Sequence, residues 1–375
     1  MKKINHKLLS KNAINTCQIL QQHGFFAFIV GGSIRDILLD LKPKDFDIAT
    51  DAYPEQIKKI FQRKCILIGK RFRLAHIRYR NELIEVATFR GDHKQTDKNG
   101  RITRDNSFGS LDEDAHRRDF TINSLYYDPV RKKLIDNMEA IQDLEKKQIK
   151  LIGKNKDRII EDPVRMLRAM RFMAKLDFYI NDEFHQDIQN NKKLLENIPA
   201  ARLFEEYKKF FHTGHALKSY QKLKDYNCLI YLFKYSQNIK NNLFIVNALE
   251  NSDNRFKNNL PLSAGFLMAV FLFHHFELQL KNYKGTATHY EKVDDIVYHI
   301  FKAQNKICSV PKFFISMIKE IWYLQHKMSH CNSNNIKSIL KQKYFRAAYD
   351  FFILRAVSDP TIKEQAKLLT NSQQN

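Results

Sequence analysis

The run Phe25-Phe26-Ala27-Phe28-Ile29-Val30 passes directly into Gly31-Gly32-Ser33-Ile34-Arg35-Asp36. The apolar run predicts a buried strand, and the glycine pair predicts a tight turn. Ile34, Ile37 and Leu38 then recur at helical spacing. A strand, a glycine turn and a helix start make a phosphate site in outline. Glycine lets the backbone approach a ligand closely, and a helix start offers free N–H groups. Arg35 adds charge one turn in. For a lone Gly-Gly pair, a plain strand-to-helix turn is the stronger explanation.

A short way on stands Asp45-Phe46-Asp47-Ile48. Alternation along a strand would put Asp45 and Asp47 on one face. Two adjacent carboxylates repel unless a cation sits between them. Mg²⁺ favours carboxylate and phosphate oxygens together. A surface loop is the alternative. The pair gains weight from the glycine turn just before it, since both can face one triphosphate. Glu85 lies inside the strand-like run Leu83 to Phe89, where an unpartnered acid is costly. A third metal-ligand role would satisfy it, and so would a salt bridge to an arginine.

Two further clusters follow. Arg117-Arg118-Asp119-Phe120-Thr121-Ile122-Asn123 offers forked phosphate donors. Asp119 and Asn123, one helical turn apart, can address a ribose hydroxyl or a metal site. An exposed, charged helix start after Asp112-Glu113-Asp114 is the bland alternative. Glu161-Asp162-Pro163-Val164-Arg165-Met166-Leu167-Arg168-Ala169-Met170-Arg171 predicts a helix capped by Asp162 with Pro163 in its first turn. Arg165, Arg168 and Arg171 drift round one side, opposite Leu167, Met170 and Ala174. That stripe is either a solvated face or the lining of a nucleotide pocket, with Asp162 and Arg165 on a base edge.

Strand-like runs at Cys65 to Ile68 and Leu74 to Tyr79 complete a mixed first third. Asp92 to Asn106 is polar and reads as a mobile loop. From about Asp157 the chain turns helical, with apolar residues three or four apart, as in Leu203, Phe204, Tyr207, Phe210 and Phe211. Ala264 to Phe273 is too short to span a bilayer and reads as a core helix. Thr370 to Asn375 is polar and expected to be disordered. The reading is α+β: a head of strands and helices over 1–155, followed by helical stretches over 156–250 and 251–375.

The chain has 375 residues, and 63 Lys+Arg against 41 Asp+Glu give a net charge of +22. Such an excess points to a polyanionic partner or to general solubility, and says nothing of fold. Five cysteines stand at no metal or redox spacing, which suits reduced thiols in a cytoplasmic protein. No signal peptide or membrane span is expected. A P-loop, His-Glu-x-x-His, Gly-x-Ser-x-Gly and the dinucleotide glycine motif are absent from the sequence.

In this order, the five elements resemble the class II nucleotidyltransferases of the polymerase-β-like superfamily. That family comprises bacterial poly(A) polymerases and CCA-adding tRNA nucleotidyltransferases. The resemblance is strong over roughly Phe25 to Phe211 and looser beyond. It implies a polymerase-β-like head followed by an all-helical neck and body. It implies two Mg²⁺ ions, with Mn²⁺ as a substitute, held by Asp45, Asp47 and Glu85. Asp119 falls in the implied active site. Gly31, Gly32, Ser33, Arg35, Arg118 and Asn123 match the triphosphate side. Asp162, Arg165, Arg168 and Arg171 match a nucleotide-reading neck helix.

The wording resembles the poly(A) branch at Lys70 to His76, Arg104 to Ser110 and Thr121 to Tyr127. Arg202-Leu203-Phe204-Glu205-Glu206 fits it too, where CCA-adding enzymes tend to carry a Glu-Arg-Ile type of sequence. So does Lys343-Tyr344-Phe345-Arg346-Ala347-Ala348-Tyr349-Asp350. The expectation is a monomeric poly(A) polymerase that adds AMP from ATP to RNA 3′ ends and works with RNA decay and its partner proteins. A CCA-adding or A-adding tRNA nucleotidyltransferase is the near alternative. A catalytically dead RNA-binding protein is the distant one.

Overall fold

The computed structural model describes residues 4–69, 73–91, 95–96, 102–104, 107–236 and 243–373. The chain divides into two compact units: residues 1–173 with 177–191, and residues 174–176 with 192–375.

The first unit is α+β. Helix α1 (Lys11–Gln22) starts where the Ser10 hydroxyl accepts the N–H groups of Asn12 and Ala13. It buries Ala13, Cys17 and Leu20, which recur at helical spacing, against β1 (Ala27–Val30). Then come α2 (Gly32–Leu38), β2 (Asp47–Thr50), α3 (Pro54–Phe61), β3 (Cys65–Ile68), β4 (Leu74–Tyr79) and β5 (Glu82–Thr88). The short strands β6 (Gln95–Thr96) and β7 (Ile102–Arg104) pair with each other. Helix α4 (Leu111–Arg117), β8 (Leu125–Asp128), β9 (Lys133–Asp136) and α5 (Ala140–Glu145) follow. The unit closes with α6 (Asn155–Glu161), α7 (Val164–Leu176) and α8 (Asp182–Asn191), although the last three residues of α7 belong to the second unit.

Seven strands form one sheet in the order β3-β4-β5-β2-β1-β8-β9. Only β2 and β5 run parallel; the other neighbours are antiparallel. One row of register crosses it. His76 lies opposite Glu85, Glu85 opposite Asp47, Asp47 opposite Val30, and Val30 opposite Tyr126. Cross-strand partners share a face. On that face Phe28, Val30, Ala49 and Tyr126 pack with Phe89 and with Ala115 of α4.

Two expectations change here. The stretch Asp92 to Asn106 holds the β6–β7 ladder rather than loop alone; its other residues lie outside the described ones. Strand β2 begins at Asp47, so Asp45 precedes it. The reason is that β1 ends at Val30, opposite Asp47, and leaves Asp45 and Phe46 no strand on that side.

The second unit is helical: α9 (Ala200–Phe211), α10 (Ala216–Asp225), α11 (Leu243–Lys257), α12 (Ala264–Lys281), α13 (His289–Gln304), α14 (Lys312–Ser329), α15 (Ile336–Leu340), α16 (Phe345–Ser358) and α17 (Lys363–Asn371). Thr370 and Asn371 therefore finish a helix, contrary to the disordered tail expected there. Helix α12 is apolar nearly all round, as a helix enclosed by others must be. Its Phe271 stacks on Phe233 at 4.1 Å between ring centres. Its Phe276 stacks on Trp322 of α14 at 4.6 Å. Among the described residues no helix is long and apolar enough to cross a membrane.

Trp322 is 1% exposed, and its indole donates to the Ala269 carbonyl at 3.3 Å. Trp322→Ala should cost about 3–5 kcal/mol, as large aromatic truncations in cores do. Trp322 is the chain's one tryptophan. Wild-type fluorescence during denaturation therefore reports the second unit alone. Calorimetry of the variant should show one destabilised transition, with the sheet-bearing unit unmoved.

Candidate active site

The row of register builds the centre. Asp47 and Glu85 are direct neighbours on parallel strands, so their carboxylates share a face. Neither Asp45 nor Asp47 takes a hydrogen bond or ion pair among the described residues. Surrounding protein, then Glu85, push the Asp47 carboxyl up to about 6; Asp45 adds to this and Arg118 opposes it. Glu85 meets His76 Nε2 at 3.3 Å, where an arginine was the alternative to a metal ion, because β4 places His76 directly opposite it. Among the described residues no three His, Cys, Asp or Glu side chains stand close enough together to hold a metal ion.

Asp47 faces Val30, which places the Gly31-Gly32 turn at its side. Gly31 has φ +71°, a conformation that side-chain-bearing residues rarely adopt. A Cβ there would also lie 3.3 Å from an Arg118 guanidinium nitrogen. The demand for glycine is therefore at Gly31. At Gly32 a Cβ would make ordinary contacts. The Ser33 hydroxyl donates to the Val30 carbonyl at 3.2 Å and ties the turn to the strand end.

Arg118 closes α4. That helix starts at Ser110 with a capping box to Glu113, and Asp112, Glu113 and Asp114 fill its first turn. The charged helix start thus belongs to the same helix whose end Arg117 and Arg118 form, rather than to those arginines. Arg118 donates to the Tyr126 hydroxyl at 2.8 Å and to Asp114 at 3.0 Å. Tyr126 donates onward to Asp114 at 2.6 Å.

Asp119 and Asn123 flank a 3₁₀ turn, Thr121–Asn123, and bond to each other at 3.0 Å. The other Asp119 oxygen meets Arg168 at 2.5 Å. Asn123 accepts from Arg35 at 2.5 Å, and Arg35 donates twice to Asp36. Arg35 is 3% exposed, and all three of its guanidinium nitrogens are engaged within the protein. Burial alone would raise the Asp119 carboxyl. Arg168, Asn123 and the Phe120 N–H outweigh it and bring it down to about 2.

Helix α7 starts at Val164, whose N–H meets the Asp162 carboxylate at 3.3 Å; Asp162 also closes α6. The arginine stripe is not a solvated face. Arg165 is 6% exposed and donates to Glu161 at 2.5 Å and to the Arg158 carbonyl at 2.6 Å. Arg158 shares the same Glu161 oxygen at 2.5 Å. The helix packs on both sides, so its arginines must find partners inside. Arg35, Arg168 and Arg171 all stand over the buried Phe172 ring, at 4.9, 5.7 and 4.6 Å from its centre.

Sequence reasoning named the carboxylates and arginines but missed their holders: His76, Asp114, Tyr126, Glu161 and Phe172. Some signals were present. Asp114 precedes Arg118 by four residues, as Glu161 precedes Arg165, the spacing of a helical ion pair. His76 announces itself only through strand pairing.

Residues 27–150 match the family described as the Poly A polymerase head domain. Residues 177–239 match the probable RNA and SrmB-binding site of polymerase A, and 286–375 its arginine-rich C-terminus. The chain is 40% identical to Poly(A) polymerase I of Haemophilus influenzae, over 94% of this chain and 82% of that one. The chain belongs to the poly(A) polymerase family. It is a nucleotidyltransferase enzyme. The homologous Poly(A) polymerase I of Salmonella typhimurium is 39% identical over 94% of this chain and 80% of its own. The CCA-adding enzyme of Lactobacillus helveticus is 37% identical over 56% of this chain and 52% of its own. A solved tRNA nucleotidyltransferase, complexed with a primer tRNA and an incoming ATP analog, superposes with TM-score 0.67 at 22% identity, over 96% of this chain and 98% of that one. At that identity the likeness is one of fold. It agrees with a polymerase-β-like head followed by helices.

Two outcomes follow for this poly(A) polymerase family member. Gly31→Ala should sharply reduce nucleotide incorporation, because both backbone and Arg118 must shift; Gly32→Ala should do less. Parallel rate measurements on the two variants check this. The depressed Asp119 carboxyl contributes stability above its ordinary titration range, lost as the pH falls toward about 2. The stability advantage of wild type over Asp119→Asn should shrink between about pH 4 and about pH 2, read by denaturant unfolding. An advantage independent of pH would break the assignment.

Proposed function

We propose that the chain adds AMP from ATP, without a template, to RNA 3′ ends, releasing pyrophosphate and building poly(A). The observation that carries the reading is Asp47 opposite Glu85, with an upward-shifted carboxyl, one strand from the Gly31 turn. Clustered carboxylates beside a phosphate-binding turn serve no purpose in an RNA-binding protein alone. Poly(A) addition is favoured over CCA addition because Poly(A) polymerase I relatives align over nearly the whole chain, and the CCA-adding relatives over about half of it.

Asp47 and Glu85, neighbours on β2 and β5, would hold the divalent ions, and Asp45, which precedes β2, would have to close on them to complete the set. Oxygen donors carrying excess negative charge suit Mg²⁺ or Mn²⁺. Two such ions, when bound, supply Lewis acidity at the attacking and leaving oxygens. Arg118 lies against the turn and offers its guanidinium to the triphosphate. Gly31, Gly32 and Ser33 shape the turn that receives it. Arg35 and Asn123 brace it from within, and Asp119 with Arg168 fixes α7 alongside. Asp162, Arg165, Arg168 and Arg171 take the base. Arg165 reaches a base only with donors not spent on Glu161 and the Arg158 carbonyl.

The helical part is read as two pieces, 156–250 and 251–375, that hold RNA through its phosphates. The same reading places a monomeric enzyme in the cytoplasm, where five free thiols stay reduced, and links it to RNA decay with partner proteins.

Asp47→Asn should abolish incorporation in a folded protein, since no neighbour replaces that charge. Product sequencing after incubation with all four nucleotides should show adenylate tails on oligo(A) and on generic RNA. A product ending in CCA, formed on tRNA alone, would transfer the chain to the other branch. Affinity for oligo(A) should fall steeply across a salt series, as released counterions require. A flat dependence would separate the +22 charge from RNA binding.

A further inference from the structure

The segment Lys343 to Asp350 plays no part in the head chemistry, yet it walls a cavity in the second unit. The cavity measures about 360 Å³. That volume falls in the range of about 300–1,000 Å³ that small-molecule sites occupy. Its other walls come from α11, the approach to α12 and the end of α9.

Its charge is one-sided. Arg255, Lys343 and Arg346 face it with one carboxylate, Asp350. Asp350 lies 3.2 Å from Arg346 and 4.0 Å from Arg255, so it holds two guanidinium groups in place. Lys343 has no carboxylate partner among the described residues; it lies over the Tyr344 ring at 5.5 Å. Two positive charges remain uncompensated, which suits a phosphate group.

The rest of the lining is suited to a flat, partly polar ring. Phe266, Leu262 and Leu267 supply apolar surface, and Tyr344 supplies a second ring. His212 closes one wall, with its ring nitrogens turned away from the cavity and beside backbone groups of Ser263 and Lys208.

We propose that this cavity binds one nucleotide unit, its phosphate at Arg255, Lys343 and Arg346 and its base against the rings of Phe266 and Tyr344. The unit is either a free nucleotide or one residue of an RNA strand; the chemistry is shared. The site stands apart from the catalytic reading, because incorporation is scored separately.

The test uses the full chain and two photoreactive probes: azidoadenosine monophosphate, and an oligoadenylate carrying the same base. Labelled peptides are mapped. Label within 251–267 or 343–350 from the free nucleotide supports a nucleotide site; label there from the oligoadenylate alone supports an RNA site. Label confined to the first unit overturns the proposal. Lys343→Glu with Arg346→Glu should reduce the second-unit label about tenfold or more, as loss of charge-assisted contacts does. Incorporation is measured in parallel as the readout of the catalytic reading. If that pair fails to fold, Lys343→Gln with Arg346→Gln replaces it, with the same loss expected. Competition by inorganic phosphate as strong as by AMP would also overturn it, since no base would then be recognised.

Discussion

The register of β2 governs the head. One strand lies antiparallel to β1 and parallel to β5, so a single residue, Asp47, meets Val30 on one side and Glu85 on the other. Side chains alternate along a strand, so a slip of one residue would send every partner to the opposite face. The slip would bury Asp47 under the sheet and expose Ile48, which is 1% exposed in the fold. The apolar alternation that stabilises the sheet is thus the same constraint that presents the acids. The row ends at Tyr126, which orients Arg118. Stability and site geometry rest on the same pairing.

The second constraint is electrostatic. Few arginines of the head are bare phosphate hooks. Arg35, Arg118, Arg158, Arg165 and Arg168 each meet a carboxylate. A buried guanidinium without a partner would be costly, and a paired one has a fixed direction. The Arg168–Asp119–Asn123–Arg35–Asp36 chain links α7, the 3₁₀ turn and α2 by side chains alone. Phe172 lies under Arg35 and Arg168 of this group and under Arg171, and an aromatic ring face is an apolar surface that attracts cations. On the proposed reading, such a network holds the phosphate side rigid before a nucleotide arrives, which spares the ordering cost on binding.

How much of this the sequence shows depends on the range of the interaction. The strands at Cys65 to Ile68 and Leu74 to Tyr79 were legible to the residue, since apolar pattern and turn residues are local signals. Gly31, Asp47, Glu85, Arg118 and Arg168 were legible as residue types in order. Their partners were not. His76 reaches Glu85 only through β4–β5 pairing, and Asp119 reaches Arg168 across 49 residues. The strand start at Asp47 was missed because it is set by where β1 turns away. For the neck helix, the choice between a solvated arginine face and a covered one stayed open, because its surroundings, not its own periodicity, decide it.

The second unit distributes its charge differently, and the difference has a physical meaning. The region matched as an arginine-rich C-terminus, 286–375, holds two arginines, Arg346 and Arg355, and eleven lysines. Arg355 is drawn inward to Glu277 and Gln325 and fixes structure, as a forked donor does well, while the exposed Arg346 pairs with Asp350. Most of the exposed charge is carried by lysine, a hydrated point charge on a flexible stem. Lysine neutralises phosphate without imposing a direction on it. A strand whose end must move after every addition is better held by such contacts than by bidentate ones. Lys302 over Tyr298, Lys319 over Tyr290 and Lys327 over Tyr323 add ring faces beside those charges. Rings accept any base by stacking. On the proposed reading, a surface of this kind holds backbone and base without reading sequence, as a growing homopolymer requires.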